Sequence, residues 1–328
     1  MFERKYADIG EPRTPARELP KSPEEKIKYF RDLAIQLSQK IKAALIEDKK
    51  LSGTGISTQE DAEDMKSKHK SDQVAIDVIK DFLKNERCNI FLESAESINR
   101  DDAEFSILID PIDGSLNWDR ETGDPCIAIA MSEKTKDICF DDLSFAYVEG
   151  LRSRDVYTAE NGKSFYISGV TGNKEEIKCS SKANTMPDAI AILRPGYSLA
   201  AEQFKSTFPF FAVAKDIRAE ENSAIELAYV ARGAADVMIE ARKGSDHFNL
   251  LAYPILKNAG GFVVDLKGKK IGRKIIDPKG KLDFIASGNK ALLKEVVEKM
   301  NIFRLLGGFN GKGIEFKDRD NDMVKYVR

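Results

Sequence analysis

Asp110-Pro111-Ile112-Asp113-Gly114-Ser115 sets two carboxylates three residues apart, directly after the apolar run Phe105-Ser106-Ile107-Leu108-Ile109. Proline has no N–H and a fixed φ, so the strand ladder is expected to stop at Ile109 and the chain to turn. The turn would aim both carboxylates into one space beyond the strand end. Converging carboxylates repel, and a hard divalent cation with oxygen ligands is the usual compensation. A plain Pro-Asp-Gly surface turn would account for the same residues without any chemistry. Glu93, closing the apolar run 89–92, and Glu96 after it add two more acids. As a set, these residues would gather carboxylates from two neighbouring strand ends.

Other chemistries are poorly supplied. His69 and His247 are the only histidines among 328 residues, which argues against zinc sites built from several imidazoles, and no G-x-S-x-G elbow is present. The cysteines at 88, 126, 139 and 179 are scattered without a C-x-x-C pair, as expected of reduced structural thiols. A net charge of −2 and the lack of basic stretches interleaved with aromatics point to no nucleic-acid partner. No apolar run approaches the ~20 residues of a membrane span, and residues 1–6 lack a leader's apolar core. A cytoplasmic protein using carboxylate chemistry on a small molecule is expected.

Residues 1–21 hold three of the eleven prolines and read as an arm. Ser22-Pro23-Glu24-Glu25 supplies an N-cap, a proline at the first helical position and a capping-box glutamate. Ile27, Phe30, Ala34, Leu37, Ile41 and Ala44 then form one apolar stripe on a helix ending near Asp48. Residues 49–71 read as a polar loop, and Asp72 as the cap of a second helix. Strands are expected at 89–92, 105–109, 126–131, 143–149, 155–158 and 164–167, crowded enough for a largely antiparallel sheet. From about residue 180 strands and helices alternate: strands at 189–193, 236–240, 262–265 and 284–287, helices at 223–232, 249–258 and 290–300. The expected organisation is an α+β half over 22–180, an α/β half over 181–300 and a tail over 301–328, with helices covering both sheets.

The stretch Asp110 to Trp118 resembles the D-P-[IL]-D-G-[ST]-x-N-[FW] signature of the inositol monophosphatase family. Lys70-Ser71-Asp72-Gln73 is similar to that family's Asp-bearing helix start. Arg218 to Glu240 is similar to its R-x-x-G-(S/T)-A-A…E region, and Ala259-Gly260-Gly261 to its closing A-G-G. The resemblance runs over roughly 25–300. It implies a layered α-β-α-β-α sandwich of the sugar-phosphatase type, with an antiparallel N-terminal sheet and a mixed C-terminal one. It also implies a homodimer and magnesium-dependent hydrolysis of a phosphate monoester, with two or three ions and manganese as an alternative. Glu93, Asp110, Asp113 and the carbonyl of Ile112 would hold the metal. Asp72 and Ser115 would activate water made acidic by the cation. Gly114 and Ser115 would bind phosphate at a helix start. Asn222, Ser223 and Glu240 fall where the family meets the rest of its substrate.

The pattern breaks in two places. The family's adjacent Glu-Glu pair appears as Glu93-Ser94-Ala95-Glu96, which assigns Glu93 as ligand and leaves Glu96 to support it. The W-D-x-x-A motif is displaced: counting forward from Glu240 gives His247, counting back from Ala259 gives Phe248, and Asn249 would be a neutral ligand. Asp246 is the acid assigned to that role, a plain helix cap being the alternative. The expected substrate is a small sugar or inositol phosphate. Fructose-1,6-bisphosphate and 3′-phosphoadenosine 5′-phosphate are alternatives, and a non-catalytic metal- or phosphate-binding paralogue is the alternative of another class.

Overall fold

In a computed structural model, residues 18–52, 70–93, 97–194, 201–242, 245–305, 314–316 and 324–326 are described. Helices α1 (Pro23–Ser52) and α2 (Lys70–Leu83) precede strands β1 (Cys88–Leu92) and β2 (Phe105–Asp113). After the short helix α3 (Ser115–Arg120) come β3 (Cys126–Ser132), β4 (Phe145–Gly150), β5 (Val156–Glu160), β6 (Lys163–Ile167) and β7 (Lys174–Glu176). Strands β1 to β7 form one sheet in sequence order.

The second sheet is built from β8 (Ile190–Leu193), β9 (Asp216–Arg218), β10 (Val237–Glu240), β11 (Phe262–Asp265) and β12 (Phe284–Ser287), ordered β11-β12-β10-β8-β9. Helices α4 (Ala201–Val213), α5 (Ser223–Arg232), α6 (Tyr253–Asn258) and α7 (Lys290–Leu305) accompany it.

Successive side chains of a strand face opposite sides, and here both sides are dry. Ile107 and Ile109 join Ile127, Ile129 and the α1 stripe Phe30, Leu33, Leu37 and Ile41 in one core. Leu108, Ala128 and Val148 point the other way, into a second core shared with α5, α6 and Ile192, Met238 and Phe284 of the second sheet. Leu193, Ile239 and Ile285 face a third core lined by Phe210, Leu292 and Val296 of α4 and α7. The layers therefore run α-β-α-β-α, as the resemblance implies.

Three local expectations need correcting. The first sheet is not wholly antiparallel, because β1 and β2 pair in parallel, Leu92 opposite Ile109. A parallel pair needs a long crossover, supplied by residues 93–104. The helix expected over 249–258 is split into a 3-10 turn (His247–Leu250) and α6. Pro254 lacks an N–H and inside a helix would clash with the carbonyl four residues back, costs that vanish where it stands, in the first turn of α6. Helix α1 also runs past Asp48 to Ser52. The second sheet is mixed, as expected: β10 pairs in parallel with β8 and antiparallel with β12.

Candidate active site

The parallel pairing of β1 and β2 brings both acid-bearing ends to one edge of the sheet. Glu93 follows Leu92, and its N–H donates to the Ile109 carbonyl at 3.0 Å, which sets it beside Asp110. Contrary to the expected turn after Ile109, β2 continues to Asp113. Asp110 pairs with Ala128 and Asp113 with Cys126, so three steps along β2 match two along β3. In a regular strand, residues three apart face opposite sides. The extra residue of this bulge cancels that inversion and puts both carboxylates in the same buried space. A bulge is also where a sheet tolerates a proline, here Pro111.

Asp110 and Asp113 are each only 6% exposed. Burial pushes the Asp110 carboxyl well above the ordinary range, and the charges of Asp113, Glu93, Asp246 and Asp72 push it further. Every acid assigned from the sequence to metal or water, apart from Glu96, is felt at this one carboxyl. Glu96 lies outside the described residues. Burial raises Asp113 too, opposed by Arg194 and by backbone N–H groups at the start of α5. The Ala224 N–H donates to Asp113 Oδ2 at 2.6 Å, while the Ile112 N–H donates to Asp110 Oδ1 at 3.1 Å. Asp246 caps its 3-10 turn, Oδ1 accepting from the N–H groups of Phe248 (2.9 Å) and Asn249 (3.1 Å). Its carboxyl is raised by burial, against the pull of Lys281, those two N–H groups and Arg242.

Beyond Asp113 the backbone reverses at Gly114, whose φ of 87° is left-handed. A Cβ there would sit 1.7 Å from Asn222 Oδ1, so conformation and space both require glycine. Ser115 opens α3, and Asn117, two residues on, ties the two halves of the molecule together. Its Nδ2 donates to Asn222 Oδ1 at 2.9 Å and to the Glu220 carbonyl. Asn222 is fully buried, and its Nδ2 lacks a hydrogen-bond partner among the described residues. At the other end of α3, the Asn117 and Trp118 carbonyls accept from Arg152 (2.8 Å) and Lys49 (3.2 Å), cations suited to a helix C-terminus.

A second set of charges adjoins the first. Glu240, at the end of β10, is 0% exposed and is gripped by two arginines. Arg242 Nε donates to Oε1 at 2.7 Å, while Arg242 Nη2 and Arg194 Nη1 each donate to Oε2 at 2.9 Å. Burial opposes ionisation of Glu240, but the two guanidinium charges win and hold it below the ordinary value. Arg194 also donates to Ser223 Oγ, and its Nε lies 3.1 Å from Glu226 Oε2, near enough for Coulomb attraction though not aligned as a hydrogen bond. Arg242 Nη1 reaches Glu221 Oε2 at 3.1 Å.

Arg194, Arg242 and Asn117 carry no role in the sequence reading. Arg194 directly follows β8 and Arg242 lies two residues past β10, so the strand-end rule that singled out Glu93 would have found both. Among the described residues, no three His, Cys, Asp or Glu side chains stand close enough to grip a cation as they are. The donor set nonetheless fits a hard cation. Its oxygens are carboxylates, Asp110 and Asp113 are buried, and the mutual repulsion at Asp110 is what a divalent ion relieves.

Known proteins share this architecture. A solved Pyrococcus horikoshii protein, described as hypothetical with similarities to inositol-1 monophosphatase, superposes with a TM-score of 0.66 at 21% identity over 83% of this chain and 98% of its own. The Thermotoga maritima IMPase gives 0.61 at 21% identity, over 85% of this chain and 100% of its own. A bifunctional NADP phosphatase/NAD kinase of Methanococcus maripaludis is 28% identical over 64% of this chain, which spans 38% of that relative's length. A fructose-1,6-bisphosphatase/inositol-1-monophosphatase of Archaeoglobus fulgidus is 29% identical over 67% of this chain and 79% of its own. The sequence profile of the inositol monophosphatase family matches residues 23–302, and the chain belongs to that family.

Proposed function

We propose that this chain hydrolyses a phosphate monoester of a small sugar or inositol, with magnesium as the cation its acids hold. The meeting of carboxylates around the buried Asp110 carries the reading, since burial and mutual repulsion both oppose ionisation there and a bound cation would relieve both. Glu93, Asp110, Asp113 and Asp246, with the Ile112 carbonyl, are the ligands. When bound, the cation supplies neutralisation of these acids, polarisation of a phosphoryl oxygen and a more acidic water.

The chain's own groups do the rest. Asp72, in the first turn of α2, and the Ser115 hydroxyl orient the attacking water and take its proton. The N–H groups of Gly114 and Ser115 receive phosphate oxygens. On the leaving-group side, Asn222 contributes its unpaired Nδ2, and Ser223 stands with it at the start of α5. Glu240, with both oxygens engaged, acts through the arginines it positions. Fructose-1,6-bisphosphate and NADP join inositol phosphate as candidate esters, a choice supported by the names of the relatives.

The test is phosphate release by the full chain with magnesium from inositol 1-phosphate, fructose-1,6-bisphosphate, NADP and 3′-phosphoadenosine 5′-phosphate. Release from one of them is expected, and release from none sinks the reading. A non-catalytic reading has one observation in its favour: Asp246 Oδ1 already serves as the cap of its own turn. Calorimetry showing tight magnesium binding without turnover would select it.

A further inference from the structure

The charges beside the acids are layered. Arg194, Glu226 and Glu240 have side chains no more than 1% exposed and Arg242 is at 7%, whereas Glu221 is at 29%. In this deep layer two arginines stand against two glutamates, with Asp113 also acting on Arg194. Glu221 is thus an additional carboxylate laid on Arg242 from the solvent side. Its backbone has a φ of 64°, a left-handed conformation unfavourable for a residue with a Cβ. It directly precedes Asn222 and Ser223, so it lies beside residues placed against the leaving group. Arg242 is also close enough to Asp246 to oppose its raised pKa. Behind it, Arg194 Nη2 is a buried donor without a hydrogen-bond partner among the described residues.

A guanidinium presents a planar fork that matches carboxylate or phosphate oxygens. An anion on the substrate can therefore take Glu221's place on Arg242 without changing the balance of the deep charges. We propose that Arg242 receives a second anionic group of the substrate in exchange for Glu221, and so is a specificity residue; this rests on the phosphatase reading above. The ester preferred by the site carries its scissile phosphate at Asp110 and a second acidic group, phosphate or carboxylate, at Arg242. Glu221 screens Arg242 against esters that have nothing to offer it.

The test uses the full chain with magnesium and three esters: inositol 1-phosphate with no second charge, 3-phosphoglycerate with a carboxylate, and fructose-1,6-bisphosphate with a phosphate. The readout is the ratio of kcat/KM for each two-anion ester to that for inositol 1-phosphate, and the ester with the higher ratio identifies the second group. Arg242→Met is expected to lower that ratio about tenfold or more, and Arg242→Lys, which keeps the charge but loses the fork, to lower it less. Glu221→Gln should raise it several-fold, and being the most exposed member of the set, that variant reads the exchange even where Arg242→Met does not fold. A ratio unchanged in Glu221→Gln and Arg242→Lys overturns the proposal, as does a wild-type preference for inositol 1-phosphate. If no ester is hydrolysed the phosphatase reading fails by itself. Calorimetry of the same esters then reads the exchange directly: tighter binding of a two-anion ester by Glu221→Gln supports it, and equal binding by wild type and variant overturns it.

Discussion

Two charge clusters meet in this molecule, each centred on a buried strand-end acid, Asp110 in one and Glu240 in the other, yet they are built on opposite terms. Around Asp110 all the strong contributors are acids, and burial and repulsion act in the same direction on its carboxyl. Around Glu240 the acids arrive with arginines, and a glutamate at 0% exposure is held ionised. At Asp110 the first cluster brings no strong counter-charge of its own, whereas the second carries its own. A protein gains nothing for its own stability from the first arrangement, because isolated buried charge is costly. Its retention speaks for binding, whereas the second can serve as a frame that holds Ser223, Asn222 and Arg242 in place.

The sharpest way to break this contrast is to remove one charge from each cluster. Asp110→Asn should abolish phosphate release, by about a thousandfold or more, while relieving repulsion, so the metal-free variant melts higher than the metal-free wild type. Magnesium at about 100 times its Kd should stabilise the wild type by roughly 2.7 kcal/mol and the variant scarcely at all. Thermal melts with and without magnesium check both statements. A metal-free Asp110→Asn protein that melts lower than wild type would mean the acids are already compensated from within.

Arg194→Met should do the reverse. It leaves Glu226 and Glu240 without a shared buried partner and should cost roughly 3–5 kcal/mol in urea unfolding. Adding Glu226→Gln should recover part of that loss, and a cost below about 1 kcal/mol would show that Arg194 is not the keystone. Gly114→Ala tests the hinge between the clusters. It meets both the φ of 87° and the Asn222 oxygen, for a cost of about 2 kcal/mol or more. Replacing Asn222 by glycine in that background should restore only the part due to the clash.

The centre of the acid cluster was legible in the sequence, because Glu93, Asp110 and Asp113 announce themselves as strand-end residues, the latter two in a phosphatase-like motif. Its geometry was not. Pro111 suggested that the ladder ends at Ile109, whereas a bulge carries the strand on to Asp113, and the bulge is what turns two carboxylates spaced three apart to one side. Parallel pairing of β1 with β2 was equally hidden, since a run such as 89–92 records burial and not direction. The alternation of Ile107, Leu108 and Ile109 between two cores is why the layered fold could be anticipated. The arginine cluster escaped notice because its meaning lies in pairings between residues 194, 226, 240 and 242, and no local spacing encodes them. Pro254 had a plain local meaning, a helix restart, that the longer apolar pattern obscured.

The finest test of the comparison lies in the pH dependence of stability. Burial raises Glu226 from the ordinary 4.5 to about 7, with the Arg194 charge and the Glu220 N–H only partly offsetting it. The Arg194–Glu226 contact is thus weaker than its 3.1 Å suggests, in keeping with its poor alignment. Between pH 4.5 and 7 the folded chain keeps a proton at Glu226 that the unfolded chain has released. A folded state that binds more protons loses stability as pH rises, so this contribution is complete below 4.5 and gone above about 7. Glu226→Gln cannot titrate, and its amide oxygen can still accept the Glu220 N–H that now donates to Oε1 at 2.6 Å. Urea unfolding of both proteins in the metal-free state, compared at each pH, cancels the contribution of the other carboxylates. The wild type should lose ground to the variant by at most about 1.4 kcal/mol per pH unit across that window, and by nothing further above it. A difference that is flat, or that grows in favour of the wild type as pH rises, would mean that Arg194 holds Glu226 fully ionised. The second cluster would then be balanced without any protonation, and the contrast with Asp110 would be sharper still.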